Sequence, residues 1–299
     1  MDRIVECIPN FSEGKRKEVI DEIVGEIKKV KGVRLLDVES DVDHNRSVVT
    51  FIGEPKAVAE AAFLATKKAS ELIDLNIHKG EHPRIGAADV IPFVPISNVT
   101  MEECIELAKK VGKRIADELD IPVYLYEAAA QRQGCVNLED IRKGEFEGLK
   151  KEIETNPARK PDYGPARLHK TAGATVVGAR EPLVAFNVNL GTDDIEIAKS
   201  IAKTVRFSSG GLRCVKAKGF EIKQRNIVQV SMNLTNYKET PIFTAYELVK
   251  SEAYKYGVPV VGCEIIGLVP LDAMVSVANF YLKLENFKKE QILETHLWE

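Results

Sequence analysis

Residues 183–266 decide the fold. They open Leu183-Val184-Ala185-Phe186-Asn187-Val188-Asn189 and close Val258-Pro259-Val260-Val261-Gly262-Cys263-Glu264-Ile265-Ile266. Both runs are rich in apolar and β-branched residues and read as strands. Between them the pattern predicts a helix over 193–205, strands over 214–222 and 227–234, and a helix over 244–256. That order is βαββαβ, the split-βαβ motif. The first half begins in the same way, with a strand over 3–8, a helix over 15–30 and strands over 33–38 and 47–52. Val19, Ile20, Ile23, Val24, Ile27 and Val30 fall at helical spacing in the first of these helices. Pro55 opens an alanine-rich helix to about Ile73, at a position where the first turn tolerates proline. A strand over 90–95 follows, then a helix ending near Leu119 whose start is marked by the capping-box pair Thr100 and Glu103, then a strand over 123–126. Residues 156–173 contain three prolines and two glycines without periodicity, and read as a long connection near a domain boundary. Residues 280–298 read as amphipathic helix serving packing or dimer contact. The expected class is α/β (α+β) with two subdomains, 1–180 and 181–299. Each is expected to be a mixed or antiparallel sheet with helices packed on one face, in βαββαβ-like (ferredoxin-like) order. Two such sandwiches facing each other form a cleft, a common place for a small-molecule site.

Composition narrows the partners. The chain has 299 residues, 44% hydrophobic and 29% charged, ordinary for a soluble globular protein. Its net charge of −3 offers no basic field to hold a phosphate backbone, so nucleic acid is not expected. No apolar run is long enough to suggest a membrane span, and the N-terminus lacks a signal peptide's apolar core. Cys7, Cys104, Cys135, Cys214 and Cys263 are scattered and never spaced C-x-x-C, which fits free thiols in a reducing cytoplasm.

The chemistry concentrates in His78-Lys79-Gly80-Glu81-His82-Pro83-Arg84-Ile85-Gly86-Ala87-Ala88-Asp89, a run of titratable groups on irregular backbone ahead of an apolar strand. It matches the H-x-x-E-H zinc pattern, but that pattern needs both imidazoles on one helical face. Gly80 weakens a helix by about 1 kcal/mol and Pro83 biases His82 towards extended backbone, so no metal is expected. His78 reads equally as a structural histidine. His82, its backbone fixed by Pro83 and Arg84 beside it, is the better catalytic candidate, because an imidazole takes and gives a proton near neutral pH. Glu39-Ser40-Asp41-Val42-Asp43-His44-Asn45-Arg46 is either a solvated hairpin tip or the place where a carboxylate orients the imidazole and Arg46 receives an anionic group. Gly164-Pro165-Ala166-Arg167-Leu168-His169-Lys170-Thr171-Ala172-Gly173 lacks phosphate-loop spacing and is either a linker or a loop pressed against a flat, acidic ligand. Ser208-Ser209-Gly210-Gly211-Leu212-Arg213 is a flexible turn or a lip of the cleft, with Arg206 and Arg213 facing it.

Taken together, the segments resemble the formiminotransferase domain, the glutamate formiminotransferase family. The likeness lies in Val5-Glu6-Cys7-Ile8-Pro9-Asn10-Phe11-Ser12-Glu13-Gly14, Leu35-Leu36-Asp37-Val38 with Asn45-Arg46, and Gly80-Glu81-His82-Pro83-Arg84-Ile85-Gly86-Ala87. It continues through Val123-Tyr124-Leu125-Tyr126, Pro161-Asp162-Tyr163-Gly164-Pro165, Gly173-Ala174-Thr175 with Gly178-Ala179-Arg180, Val260-Val261-Gly262 and Gly267-Leu268-Val269-Pro270-Leu271. The resemblance implies transfer of the formimino group from N-formimino-L-glutamate to tetrahydrofolate, a co-substrate, in histidine breakdown. It implies two α/β subdomains with folate in a tunnel between them, and a homodimer. The family's catalytic histidine falls on His82 and its folate-contacting loop on Gly164 to Gly173. Two departures stand out. Glu39 occupies the position of an Asp in animal members, and Thr171-Ala172 stands where animal members place an aromatic. Animal members also carry a cyclodeaminase domain, so a separate cyclodeaminase is expected to act downstream.

On that basis the expected mechanism has N5 of tetrahydrofolate attack the amidinium carbon, with His82 moving a proton from N5 to the departing glutamate nitrogen. Glu39 or Asp41 is expected to hold the imidazole, while Arg46 and Arg84 pair with the substrate carboxylates. Two competing readings remain at this level. One is formyl transfer, between 5-formyltetrahydrofolate and glutamate or in recycling of that folate. The other is a folate-binding protein without turnover.

Overall fold

The chain divides into two compact units, Met1–Arg180 and Glu181–Glu299. The computed structural model describes residues 3–297. The first unit runs β1 (Ile4–Cys7), β2 (Asn10–Phe11), α1 (Lys17–Lys29), β3 (Val33–Asp41), β4 (Arg46–Gly53), α2 (Pro55–Leu72), β5 (Ala88–Ser97), α3 (Met101–Leu119) and β6 (Val123–Glu127). Short helices α4 (Leu138–Ile141) and α5 (Glu145–Glu152) and strand β7 (Thr175–Ala179) complete it. β1 and β2 both lie between β4 and β5 and act as one strand broken at Ile8-Pro9. Proline has no N–H to give to a ladder, and the carbonyl of Pro9 accepts from Val49 instead. β3 pairs with β4, so with β1 and β2 counted as one strand the run through α2 to β5 has βαββαβ connectivity in an antiparallel arrangement. β7 and β6 then extend the sheet from β5 in parallel.

Helices α1 to α3 form because their apolar residues recur on one face. α1 buries Val19, Ile20, Ile23, Val24 and Ile27. α3 is capped reciprocally, Thr100 accepting from the Glu103 N–H while the Glu103 carboxylate accepts from Thr100. These helices cover one face of the sheet over Val5, Phe51, Phe93, Leu125 and Val177. The expectation of helices on one face alone fails at the parallel end. There Tyr124, Tyr126 and Val176 point the other way, into a smaller core with Ile141, Leu149 and Ile153 of the segment carrying α4 and α5. A parallel strand such as β7 buries both faces, so it shows no alternation of polar and apolar residues.

The second unit contains β8 (Val184–Leu190), α6 (Ile195–Val205), β9 (Val215–Ile222), β10 (Ile227–Leu234), α7 (Ile242–Lys255), β11 (Val260–Ile266) and α8 (Leu271–Leu282). Its sheet is antiparallel in the order β11-β8-β10-β9. Val184, Phe186, Val188 and Leu190 alternate towards Ala198, Ile201, Ala245 and Val249 of the helices. Residues 156–173 lie inside the first unit, close before its end at Arg180, and Asp162 and Tyr163 bond to β6. One expectation needs correction: the C-terminal helix lies earlier than residues 280–298. α8 ends at Leu282, where Lys283 turns left-handed, and only short 3-10 turns follow at Lys289–Gln291 and Leu293–Leu297. Trp298 lies outside the described residues.

Candidate active site

Three irregular segments converge in the first unit: residues 10–14, the β3–β4 turn and residues 78–89. Asn45 joins them. It sits in left-handed backbone at φ 47°, a conformation asparagine tolerates better than most residues. Its Oδ1 accepts the Gly14 N–H at 2.9 Å, its Nδ2 donates to the Lys79 carbonyl at 2.9 Å, and its own carbonyl accepts from His78 Nε2 at 2.9 Å. Gly80 permits this closeness, since a Cβ there would lie 2.2 Å from the His44 carbonyl oxygen. Ser12 ties the first segment to the third, its Oγ donating to the Gly86 carbonyl at 2.7 Å and its N–H to the Ala87 carbonyl at 2.9 Å.

The two histidines of the third segment have different surroundings. His78 gives its Nε2 proton to Asn45 and accepts the Arg84 Nε–H on Nδ1 at 3.2 Å. Both nitrogens are in use, and burial lowers its pKa, so His78 is a neutral structural group. No helix spans residues 78–84, which removes the common face that the zinc pattern needs. His82 is half-buried, with Nδ1 2.8 Å from the Pro83 carbonyl. A carbonyl only accepts, so Nδ1 carries the proton and Nε2 of the neutral ring keeps its lone pair. Burial, followed by the positive charges of Arg46 and Arg142, pushes the pKa of His82 down to about 3. Asp89 and the Pro83 carbonyl oppose that shift.

Around His82 the charges are unevenly matched. Asp89 is buried, accepts the Ile85 N–H at 2.7 Å and pairs with Arg142. Arg46 donates to Asn10 Oδ1, an uncharged partner. Burial, then the Arg142 charge, lowers the Arg46 pKa to about 10. Among the described residues, the Nε atoms of both Arg46 and Arg142 are buried without a hydrogen-bond partner. Phe11, Ser12, His44, Arg46, His82 and Asp89, among others, line a narrow, closely packed recess. It offers the Arg46 guanidinium and the His82 imidazole, with the Arg142 charge near enough to act on both, which suits an anionic substrate that must lose or gain a proton.

Of the residues expected here, His82 and Arg46 share the recess. Glu39 does not hold the imidazole. It lies exposed on β3 opposite Val48, makes no hydrogen bond or ion pair among the described residues, and acts on Arg46 only through its charge. The carboxylate acting on His82 is Asp89, and Asp41 instead pairs with His44 at 3.0 Å. Arg84 is likewise spent. Its guanidinium is buried against Glu145 at 2.7 Å and Glu147 at 2.7 Å as well as His78, so it positions the loop rather than receiving a carboxylate. In the 164–173 loop, the Thr171 carbonyl accepts from Leu75 and the Ala172 carbonyl from Ala87, while Gly173 bridges to Gly86. His169 Nδ1 accepts the Ala172 N–H at 3.0 Å, Arg167 pairs with Asp120 at 2.6 Å, and Leu168 packs on the core. Gly164, Ala166, Arg167 and Lys170 are exposed, and Pro165 is half-buried. Asp89 was visible in the sequence run without a role, whereas Arg142 gave no signal. Arg84→Ala is expected to lower the unfolding free energy by about 1.5–3 kcal/mol in urea titration, through lost charged hydrogen bonds. Wild-type stability with a sharply raised KM for an anionic substrate would return Arg84 to ligand binding.

Residues 4–180 match the formiminotransferase domain, N-terminal subdomain, and residues 185–296 match the formiminotransferase domain. Glutamate formimidoyltransferase from Streptococcus pyogenes serotype M1 is 52% identical over 299 residues, 99% of each chain. The protein of that name from Thermoplasma acidophilum is 51% identical over 293 residues, 97% of this chain and 96% of that one. Formimidoyltransferase-cyclodeaminase from Gallus gallus is 45% identical over 291 residues, 95% of this chain but 53% of that protein. Likeness of this extent across both units leaves one assignment: the chain belongs to the formiminotransferase domain family.

Proposed function

We propose that this chain transfers the formimino group of N-formimino-L-glutamate to N5 of tetrahydrofolate, releasing L-glutamate. The observation that carries the reading is the His82 ring, whose Nδ1 faces the Pro83 carbonyl and leaves the Nε2 lone pair open, near the charge of Arg46, a buried guanidinium that meets no carboxylate directly. N5 attacks the amidinium carbon and a C–N bond forms. His82 Nε2 takes the proton from N5 and returns it to the glutamate nitrogen as the old C–N bond breaks. Arg46 pairs with a substrate carboxylate through its orphaned Nε. That carboxylate offsets the cations acting on His82, so substrate binding raises the imidazole pKa towards the range where proton transfer is efficient. The exposed Arg167 and Lys170 suit the anionic tail of the folate. Names such as formimidoyltransferase-cyclodeaminase among the relatives support a cyclodeaminase as consumer of the product.

In this reading the protein is a cytoplasmic homodimer. The dimer is supported by α8, an apolar helix that buries only Ala273, and by the neighbouring edge strand β11. Leu282, Phe280 and Met274 of α8 and Val261 and Ile266 of β11 are all exposed. In analytical ultracentrifugation the wild type is expected as a dimer and Leu282→Glu with Ile266→Lys as a monomer. A monomeric wild type would reject this arrangement.

For the chemistry, His82→Ala is expected to lower kcat about 10²–10⁴-fold in an assay with formiminoglutamate and tetrahydrofolate while folate binding persists. Unchanged turnover would remove His82 from the reaction. A cation beside an imidazole disfavours its protonated form, so Arg46→Gln is expected to raise the His82 pKa from about 3, read by NMR titration of the ring. The same variant should raise the KM for formiminoglutamate. An unmoved pKa would separate Arg46 from His82.

A further inference from the structure

Three histidines line the recess, and the one in the β3–β4 turn, His44, has no part in the steps above. Asp41 holds it at two points. Asp41 Oδ1 accepts the His44 N–H at 2.7 Å, and Oδ2 lies 3.0 Å from Nδ1 of the ring. The bond to the His44 N–H, followed by that to the ring, lowers the pKa of Asp41 and keeps it ionised. An ionised carboxylate only accepts, so Nδ1 of His44 carries a proton. Nε2 makes no hydrogen bond among the described residues, and the side chain is 47% exposed to solvent.

The ring stands edge-on to that of His82, with 6.1 Å between centroids and 71° between planes. That is too far for a direct ring-to-ring hydrogen bond, so the two imidazoles act as separate groups on a substrate in the recess. Their surroundings are opposite in sign. Arg46 and Arg142 act on His82, whereas an ionised carboxylate touches His44. Two like groups in one site divide into base and acid when neighbouring charges differ in this way. The titratable and charged groups on the elements packed around His44 are Asp41 and Asp43 of its own turn, Arg46 of β4, Glu81 and His82 of the third segment, and Lys15 of the first.

The proton balance of the reaction calls for such an acid. Formiminoglutamate enters as an amidinium, and the formimino group ends on N5 with the same charge. Once the N5 proton has passed through His82 to the glutamate nitrogen, glutamate departs as a neutral amine, whereas the free amino acid carries an ammonium at neutral pH. One further proton is therefore taken up from outside the two reactants. We propose that His44, as the imidazolium, donates this proton from Nε2 to the amine of the departing glutamate; the inference rests on the formimino-transfer reading and adds a second catalytic residue to it. The new N–H bond occupies the lone pair with which the amine would attack the product and reverse the transfer. His44, now neutral, recovers its proton from solvent, and Asp41 keeps the proton on Nδ1 in place throughout.

Steady-state assays of the full chain with formiminoglutamate and tetrahydrofolate, from neutral to alkaline pH, test this. The wild type is expected to lose kcat as pH rises and His44 deprotonates, and to be indifferent to added imidazole. His44→Gln is expected to lower kcat about tenfold or more, to lose that alkaline fall, and to regain turnover as imidazole buffer is added. Its KM for formiminoglutamate should stay within about twofold of the wild type. Asp41→Asn, whose amide oxygen still accepts the His44 N–H, is expected to lower kcat in the same direction. A His44→Gln enzyme with the turnover and pH profile of the wild type, or one whose loss imidazole does not restore, would overturn this inference and leave the transfer itself standing. A wild type that forms no 5-formiminotetrahydrofolate would overturn both.

Discussion

The hydrogen bonds of Asn45 are the constraint on which the first unit's chemistry depends. Three segments far apart in sequence meet at one side chain and one carbonyl, and none of them is a regular element there. Loop backbone has no ladder to supply its partners, so each buried donor or acceptor must find one individually. Asn45 supplies an acceptor to Gly14, a donor to Lys79 and a carbonyl to His78, and its left-handed backbone makes all three reachable. His78 continues the chain of contacts to Arg84, and Arg84 reaches the glutamates at the start of α5. His82 is therefore held on a scaffold whose other histidine is fully engaged.

Electrostatics then gives that scaffold its direction. Burying two guanidinium groups costs several kcal/mol unless each meets a countercharge. Arg142 meets Asp89, but Arg46 meets the neutral amide of Asn10. The recess thus holds more positive charge than its own carboxylates answer, and the imidazole is neutral because burial disfavours its charged form and protonating it would add a third cation. An acid entering such a site relieves the imbalance and changes the basicity of the base in the same event. Binding and activation are linked by Coulomb interaction and need no moving part.

Much of this was legible in the sequence where local rules dominate. The apolar spacing of α1, the Thr100–Glu103 box of α3 and the β-branched runs of β8 to β11 each state their own structure, and the second unit follows the expected connectivity. β7 escaped because its five small or β-branched residues, Gly178 among them, are buried on both faces and have no periodicity to read. α4 and α5 escaped because they are short and owe their stability to the core they cover. In the site, His82 was found through the density of titratable residues on irregular backbone. Arg142 was not, because only tertiary packing brings the end of a four-residue helix to Asp89. Glu39 was placed by its neighbours in sequence, but on β3, opposite Val48, it makes no hydrogen bond to the ring among the described residues.

The bridge between Gly86 and Gly173 has a consequence for how the molecule is made. During translation, β1 to β5 leave the ribosome well before the parallel strand that supports β5 from its far side. Pairings across long stretches of chain form late, after the intervening segment has been released. A nascent polypeptide that already displays His82 therefore lacks the backing of the loop just beyond it until Ala179 has emerged. Completion of the first unit, rather than appearance of the reactive ring, sets the moment at which the centre acquires its working shape.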